Sequence, residues 1–315
     1  MSLEQLAYAL AVARYKSFVL AAEKVSVTQP ALTMQVKKLE AELGFVLFDR
    51  SRKPLMLTAE GKIYLERAQE FMLSFRELSH LAEELKNQEG GELRLAIIPT
   101  LSPYLIPLFL DHFRGRFPDV KISIAELPTE YIIRQIKEGE LDAGIFATPV
   151  MSTGIYFQPL FYEKFFLYVS QQHPWFRKVT VNIADLAGAN IWLLREGNCF
   201  RSQVSDICQL QENRQGQNKF IYESSSIESL MRIVEYHGGM TLIPELATLA
   251  VSAEQEGLLK EISKPAGVRQ ISLAFSRYQH KKRLLDGLQT SILQHIPRHM
   301  LQPGEAEIID SYVKV

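Results

Sequence analysis

The sequence holds only two cysteines in 315 residues, too few for a disulfide scaffold, so its thiols are expected to start out reduced. No apolar run reaches the roughly 18 residues of a membrane span. The opening stretch carries Glu4 and has no cleavable apolar core, so it does not read as a signal peptide. The expectation is a soluble cytoplasmic protein with no membrane partner. Excess charge is missing too: 35 basic side chains face 36 acidic ones, for a formal net charge of −1. That argues against a wholly basic nucleic-acid coat but leaves room for a local basic patch. Internal repeats and low-complexity tracts are absent. What remains is ordinary globular composition, 47% hydrophobic and 23% charged, with length for two or three domains of about 100–200 residues each.

Three zones separate by pattern. Residues 1–57 read as three short helices followed by a basic hairpin. Leu3, Leu6, Leu10 and Ala13 recur at helical spacing, and Ser17-Phe18 opens a second short helix through Val25. After a tight connection, Thr28 is a good N-cap for a third helix, with Pro30 in the first turn, where its missing N–H is harmless. On that helix Leu32, Val36, Leu39 and Leu43 form an apolar stripe, while Gln29, Thr33 and Lys37 form a polar one. From Arg14 to Lys53 there are eight basic and four acidic residues, a local +4 in a nearly neutral chain.

A short helix, a tight turn and a second helix with a polar face is the logic of helix-turn-helix DNA readers. Gln29 suits bidentate contact with adenine, and Thr33 can offer its hydroxyl to a base or its methyl to thymine. Pro30 and Met34 lie beside them on the same DNA-facing segment. Lys37, Lys38, Arg50, Arg52 and Lys53 suit phosphates, which set register rather than sequence. The plain alternative is a solvated helix face and an ordinary basic turn.

The second zone, 58–89, reads as one long helix capped by Thr58. Tyr64, Ala68, Phe71, Phe75, Leu78, Ala82 and Leu85 follow in alternating steps of four and three, the seam of a two-helix coiled coil. Such a dimerising rod would span roughly 48 Å; alternatively the helix packs on its own domain. The third zone, 92–298, alternates strand-like and helix-like stretches. Strands are expected at 93–98, 120–125, 141–146, 165–170, 190–194, 219–223, 240–243 and 270–275. The pattern implies a largely parallel sheet covered by helices, divided into two subdomains with a cleft between them. Residues 302–315 read as a loose polar tail.

The run Phe18-Val-Leu-Ala-Ala-Glu-Lys-Val-Ser-Val-Thr-Gln-Pro-Ala-Leu-Thr-Met-Gln-Val-Lys-Lys-Leu-Glu40 resembles LysR-type transcription regulators. So do Leu43-Gly44, Leu47-Phe48-Asp-Arg50 and Leu57-Thr58-Ala-Glu-Gly61. The resemblance covers essentially residues 1–298. It implies an N-terminal all-α winged helix-turn-helix, a long linker helix, and a C-terminal α/β two-lobed effector domain like periplasmic binding proteins. Its implied partners are double-stranded promoter DNA, RNA polymerase and further copies of the chain, as homodimer or homotetramer.

The effector zone carries both cysteines, in Asn198-Cys199-Phe-Arg201-Ser-Gln203-Val-Ser-Asp-Ile-Cys208. Two unrelated buried thiols is the ordinary reading. Cys199, however, falls near the start of a helix expected at 199–210, where the helix dipole and the Arg201 cation favour a thiolate. A low-pKa thiol with a second thiol near it suits a redox sensor. Cysteines nine apart with no matching ligands do not suggest a metal, and no cofactor is expected. If the segment is wholly helical, the two Cα atoms lie about 13.5 Å apart, whereas a disulfide needs roughly 7 Å or less; oxidation would then unwind the segment. Thr100 and Thr129, each at a helix start, are N-caps or hydroxyls facing the cleft.

Within the LysR family, Ile97-Ile-Pro-Thr-Leu-Ser-Pro-Tyr104, Gly139-Glu-Leu-Asp142, His173-Pro-Trp175, Asp185-Leu-Ala-Gly188, Ser226-Ile-Glu-Ser-Leu230 and Met240-Thr-Leu-Ile-Pro244 resemble the hydrogen-peroxide-sensing members. That resemblance implies a peroxidatic Cys199, a resolving Cys208, peroxide held by Thr100 and Thr129, a thiolate stabilised by Arg201, and reset by a cellular disulfide reductant. Asn198 stands where the group often has histidine, and an amide cannot exchange a proton as imidazole does. Two other readings stay open: a regulator that binds a small anionic metabolite in the cleft, and a thiol peroxidase.

Overall fold

The computed structural model describes residues 1–52, 54–86, 91–187, 189, 191–195, 198–208, 224, 226–263, 267–277 and 281–311. Within the helix that ends at Lys86, side chains are described through Phe75 and at Leu78. The chain divides into two compact units, Met1–Lys86 and Asn87–Val315.

The first unit packs α1 (Leu3–Tyr15), α2 (Phe18–Lys24) and α3 (Gln29–Leu43) against the hairpin β1 (Phe48–Asp49) and β2 (Met56–Leu57) and the start of α4 (Ala59–Lys86). Each helix begins on a side-chain cap. Ser2 and Gln5 cap each other's backbone at α1, Ser17 accepts from Leu20 N, and Thr28 accepts from Ala31 N. Gly44, at φ 78°, ends α3 in the left-handed conformation that glycine adopts without strain. Leu32, Val36 and Leu39 of the apolar stripe are fully buried, with Leu6, Ala9, Val12 and Leu47.

Two contacts lock the hairpin to the helices. Buried Glu40 accepts from Leu47 N at 2.8 Å and from Arg50 Nη2 at 2.8 Å. Thr58 Oγ1 caps α4 by accepting from Gly61 N at 2.9 Å, and a Cβ at Gly61 would fall 2.1 Å from the Leu47 carbonyl oxygen. Only glycine lets α4 approach the hairpin so closely.

The second unit is built on two sheets. The first has the order β4-β3-β5-β11-β6, from β3 (Gly91–Ile97), β4 (Val120–Glu126), β5 (Ala143–Thr148), β6 (Ile155–Glu163) and β11 (Arg269–Ser276). The second has the order β8-β10-β7-β9, from β7 (Phe165–Val169), β8 (Thr180–Val181), β9 (Met240–Pro244) and β10 (Leu259–Ile262). Helices α5 (Ser102–Arg116), α6 (Thr129–Lys137), α7 (Cys199–Ile207), α8 (Ile227–His237), α9 (Glu245–Thr248) and α10 (Lys282–His295) complete it. The chain passes between the sheets at Lys164 and again between β10 and β11, which gives the two lobes.

The sheets are mixed, not largely parallel. β3 runs parallel to β4 and β5, but β11 is antiparallel to β5 and β6, and β7 to β9 and β10. Strands β6, β8 and β10 were not expected from the sequence. β6 lacks clean alternation and contains Pro159, and its register with β11 shifts between Ile271 and Ser272, as a residue without an N–H favours. No described residue of 190–194 joins a ladder; the backbone N–H groups of Trp192 and Arg195 instead donate to Met240 O and Ser224 O. The strand expected at 219–223 lies outside the described residues.

The tail is not loose as far as Ser311. Val268 bridges to Ile308 in parallel, and Ser311 is fully buried with its hydroxyl donating to Pro149 O. Short sequence offers no periodicity to announce this docking. The linker helix ends at Lys86, and its seam is divided. Tyr64 packs edge-on to Phe45 at 5.8 Å and Ala68 is buried in the unit's own core. Phe71, Phe75 and Leu78 stay 52%, 40% and 66% exposed. Ala68 is therefore a core residue of the first unit and Tyr64 packs half-buried against that core, so both make contacts within the unit beside the dimerising role read from spacing. The side chains of Ala82 and Leu85 lie outside the described set.

Candidate functional sites

On the first unit, Gln29, Pro30, Met34 and Lys37 are exposed along α3 as a DNA-reading face requires. Thr33 is half-buried, and its Oγ1 is buried with no hydrogen-bond partner among the described residues. Arg50 is not a free phosphate ligand. Its guanidinium pairs with Glu40 and lies 5.1 Å from the Phe18 ring centroid, so part of its work is to join the hairpin to α2 and α3. Arg52, 68% exposed, makes only a surface pair with Asp49 at 3.3 Å, which costs little to open toward a phosphate. Lys53 lies outside the described residues. An open groove of about 1040 Å³ runs between α3 and the hairpin, lined in part by Lys37, Arg50, Arg52, Val46 and Met56.

Lys37→Ala is expected to weaken binding to all DNA sequences and lower the salt slope by about one, the signature of a lost phosphate contact. Gln29→Ala should change base preference with little change in salt slope. Titrations of operator and scrambled duplex at several salt concentrations separate the two, and a uniform loss for Gln29→Ala would remove its base-reading role.

On the second unit, Asn198 caps α7 by accepting from Phe200 N at 3.0 Å, which makes Cys199 the first residue of the helix. Both thiols are free and buried. Thr129 Oγ1, at the start of α6, donates to Cys199 Sγ at 4.0 Å. Burial pushes the Cys199 thiol above its ordinary value, opposed first by the Arg269 cation and then by the Thr129 hydroxyl and the backbone N–H groups of Phe200 and Cys199. The expected low-pKa thiol is thus overturned for the reduced protein. The helix start and its neighbours favour the thiolate, but desolvation outweighs them.

Arg201 Nη1 donates to Leu194 O at 2.7 Å, which tethers α7 to the preceding segment. The cation whose field acts on the Cys199 thiol is Arg269, fully buried at the head of β11. Its Nε donates to Glu163 Oε1 at 2.8 Å, Nη2 reaches the same oxygen, and Nη1 donates to Thr100 Oγ1 at 3.2 Å. Its guanidinium carbon lies 5.0 Å from the centroid of Phe200, the residue after the cysteine. Thr100 therefore touches the arginine, while Thr129 touches the sulfur. Gln203, one turn beyond Cys199, is fully buried, and neither polar atom of its amide has a hydrogen-bond partner among the described residues. Such an amide leaves hydrogen-bonding capacity for a small polar molecule.

Sequence reading missed Arg269 and Glu163. Each is a lone charge at the end of an apolar strand, and they stand 106 residues apart; the only signal was that a charge so placed needs a partner.

Cys208 caps the other end of α7, so the helix holds the two Cα atoms about 13.5 Å apart. Burial pushes the Cys208 thiol up to about 12. A buried thiol with a raised pKa favours the fold below its unfolded value of about 8.5, and that contribution fades as pH rises through 8.5 toward 12. Reduced Cys208→Ser should therefore lose less stability than wild type between pH 8 and 10 in urea titrations; parallel losses would contradict the burial of this thiol.

Among the described residues no helix is long and apolar enough to cross a membrane, and no group of three or more His, Cys, Asp or Glu is placed to hold a metal.

Comparison with known proteins places both units. Residues 3–62 match the model of the bacterial regulatory helix-turn-helix protein, lysR family, and residues 86–296 match the LysR substrate binding domain. The chain is 30% identical to the hydrogen peroxide-inducible genes activator of Haemophilus influenzae, over 92% of this chain and all of that one. It is 30% identical to the DNA-binding transcriptional dual regulator OxyR of Escherichia coli, over 87% of this chain and 89% of that one. Among solved structures, full-length OxyR C199D from Pseudomonas aeruginosa superposes with a TM-score of 0.71 at 31% identity, covering 93% of this chain and 94% of that one.

Proposed function

The chain belongs to the LysR family of DNA-binding transcription regulators, and from that premise we propose that it senses hydrogen peroxide and activates oxidative-stress genes from promoter DNA in the cytoplasm. One observation carries this reading: Cys199 sits at a helix start against Thr129 and within the field of Arg269, with Cys208 at the far end of the same helix.

The chemistry balances without a cofactor. Cys199 sulfur, as thiolate, attacks one peroxide oxygen and breaks the O–O bond; the departing hydroxide takes up a proton and leaves as water, giving a sulfenic acid. Cys208 sulfur then attacks the sulfenic sulfur, and a second water departs as the disulfide forms. Two thiols are oxidised by two electrons and one peroxide becomes two waters. Arg269 and Thr129 stabilise the charge that develops on Cys199, while burial keeps the resting thiol protonated until peroxide enters.

Helix geometry makes this a switch. The disulfide requires the Cα atoms within roughly 7 Å, so α7 must unwind between Cys199 and Cys208. Phe200, which stacks on Phe165 at 5.5 Å and under Arg269, would leave its place as it does. We infer that this rearrangement changes how paired effector domains set the DNA-binding heads of a homotetramer, a dimer of dimers, and so recruits RNA polymerase. A dithiol reductant supplies the two electrons for reset.

The test is operator footprinting and in-vitro transcription with and without peroxide. Wild type should change its footprint and activate, and Cys199→Ser should do neither. A response that persists in Cys199→Ser, or that follows a dissociable ligand instead, would return the reading to a metabolite-binding regulator.

A further inference from the structure

The C-terminal segment 307–311 bonds the residue before Arg269 directly, and reaches the residue after it through the Thr148-Pro149 stretch. Val268 N donates to Glu307 O at 2.8 Å, and Ile309 N donates to Val268 O at 3.0 Å. Both backbone polar groups of the residue before Arg269 are therefore satisfied by the C-terminal segment. On the other side, Gln270 Nε2 donates to Thr148 Oγ1 at 2.7 Å. The carbonyl of the following residue, Pro149, accepts from the buried Ser311 hydroxyl. A Cβ at Gly267 would fall 2.3 Å from Ile309 Cγ1, so the segment lies directly on the chain entering β11. Upstream, His299 Nε2 meets Glu245 Oε1 at 2.8 Å, and Glu245 Oε2 accepts from Lys164 N at 2.9 Å. Lys164 follows Glu163, the partner of Arg269. The segment 298–311 thus lies on the second passage between the lobes and reaches the first through Glu245.

We propose that the C-terminal segment 307–311 is a positioning element for Arg269, a strap that keeps its guanidinium beside Cys199 and so sets the reactivity of that sulfur. The proposal rests on the peroxide-sensing reading but is tested apart from it. The strap touches neither sulfur nor peroxide. It acts through two backbone bonds to Val268 and one side-chain anchor at Pro149, and its loss uncovers Val268, which is 3% exposed. Among the described residues, Arg269 on β11 is the charge that acts on Cys199, it is itself paired with Glu163 on β6, and the Thr129 hydroxyl on α6 reaches the sulfur.

The experiment uses the full chain with Cys208→Ser, so that alkylation by iodoacetamide reports Cys199 alone. Rates are measured from pH 6 to 11 for this protein, for a chain ending at Leu301, for Ser311→Ala, and for Gly267→Val, whose side chain takes the space of Ile309. The expected result is a midpoint about one unit higher and a rate at pH 7 roughly tenfold lower in the shortened chain and in Gly267→Val. Ser311→Ala should shift the same way by less. A shortened chain that melts earlier but keeps the parent pH profile would overturn the proposal, because a merely structural tail lowers stability without moving the thiol. Should the shortened chain fail to fold, Gly267→Val decides on the same readout. If the unaltered chain shows a normal alkylation profile yet does not react with peroxide, the sensing reading fails while the strap is still judged by these shifts.

Discussion

Arg269→Ala is expected to slow the reaction of Cys199 with peroxide by about two orders of magnitude and to destabilise the fold by about 3–5 kcal/mol. The second effect follows from burial: Glu163 and Arg269 are both fully buried, and removing one partner strands the other's charge in an apolar interior. The first follows from the cation being the leading influence that favours the Cys199 thiolate; without it burial acts unopposed by a nearby positive charge, and less thiolate is present at neutral pH. A paired substitution separates them. Glu163→Gln with Arg269→Met removes both charges and fills similar volume, so stability should largely return, as it does when buried pairs are replaced by apolar groups. Reactivity should not. Urea unfolding and stopped-flow peroxide consumption check the two halves, and recovery of reactivity together with stability would mean that Arg269 only holds the fold. Arg269→Lys keeps the charge but loses the fork that reaches Glu163 and Thr100 at once, and should fall between.

The linker helix carries the second large effect. Phe71→Asp with Phe75→Asp should disrupt self-association through the linker helix and weaken operator binding by more than a hundredfold. Both rings are 40% or more exposed in the single chain, so they are open to a second copy of the helix. Burying a phenylalanine is worth about 1.5–3 kcal/mol, and four are lost from a pair of chains. Operator affinity falls because two half-sites are read together only when two heads are joined. Tyr64→Asp should behave differently, since its ring packs on Phe45 within the unit: it should lower the melting temperature of the first unit itself. Sedimentation equilibrium and thermal unfolding distinguish the outcomes, and a seam at Tyr64 that matters more to assembly than Phe71 would contradict the division described here.

How far the sequence reached follows from the range of each interaction. The caps Ser17, Thr28 and Thr58, the stripe Leu32-Val36-Leu39 and the helix beginning at Cys199 are local, encoded within a few residues, and are legible by spacing alone. Spacing is silent on which partner a face meets, so Tyr64 and Ala68 lie on one seam with Phe71 yet pack inward. Arg201 reads as the thiol's cation because it is near Cys199 in sequence; its guanidinium reaches back to Leu194, while β11 delivers Arg269, which no local pattern announces, from a distant part of the chain. The thiol's raised pKa was likewise invisible, since dipole and cation are local but desolvation depends on everything packed around the sulfur. The docked C-terminal segment has no periodic pattern, because its register is set by Val268 and Pro149.

The central claim is that Cys199 and Cys208 exchange a helix for a disulfide when peroxide arrives. Intact-mass analysis with peptide mapping, on reduced protein exposed briefly to micromolar peroxide, tests it most directly when wild type is run beside Cys199→Ser and Cys208→Ser. The account predicts a rapid loss of two hydrogens in wild type, mapping to a Cys199–Cys208 linked peptide and absent from both variants, with a sulfenic acid trapped on Cys199 in Cys208→Ser. Two free thiols in wild type after exposure would contradict it.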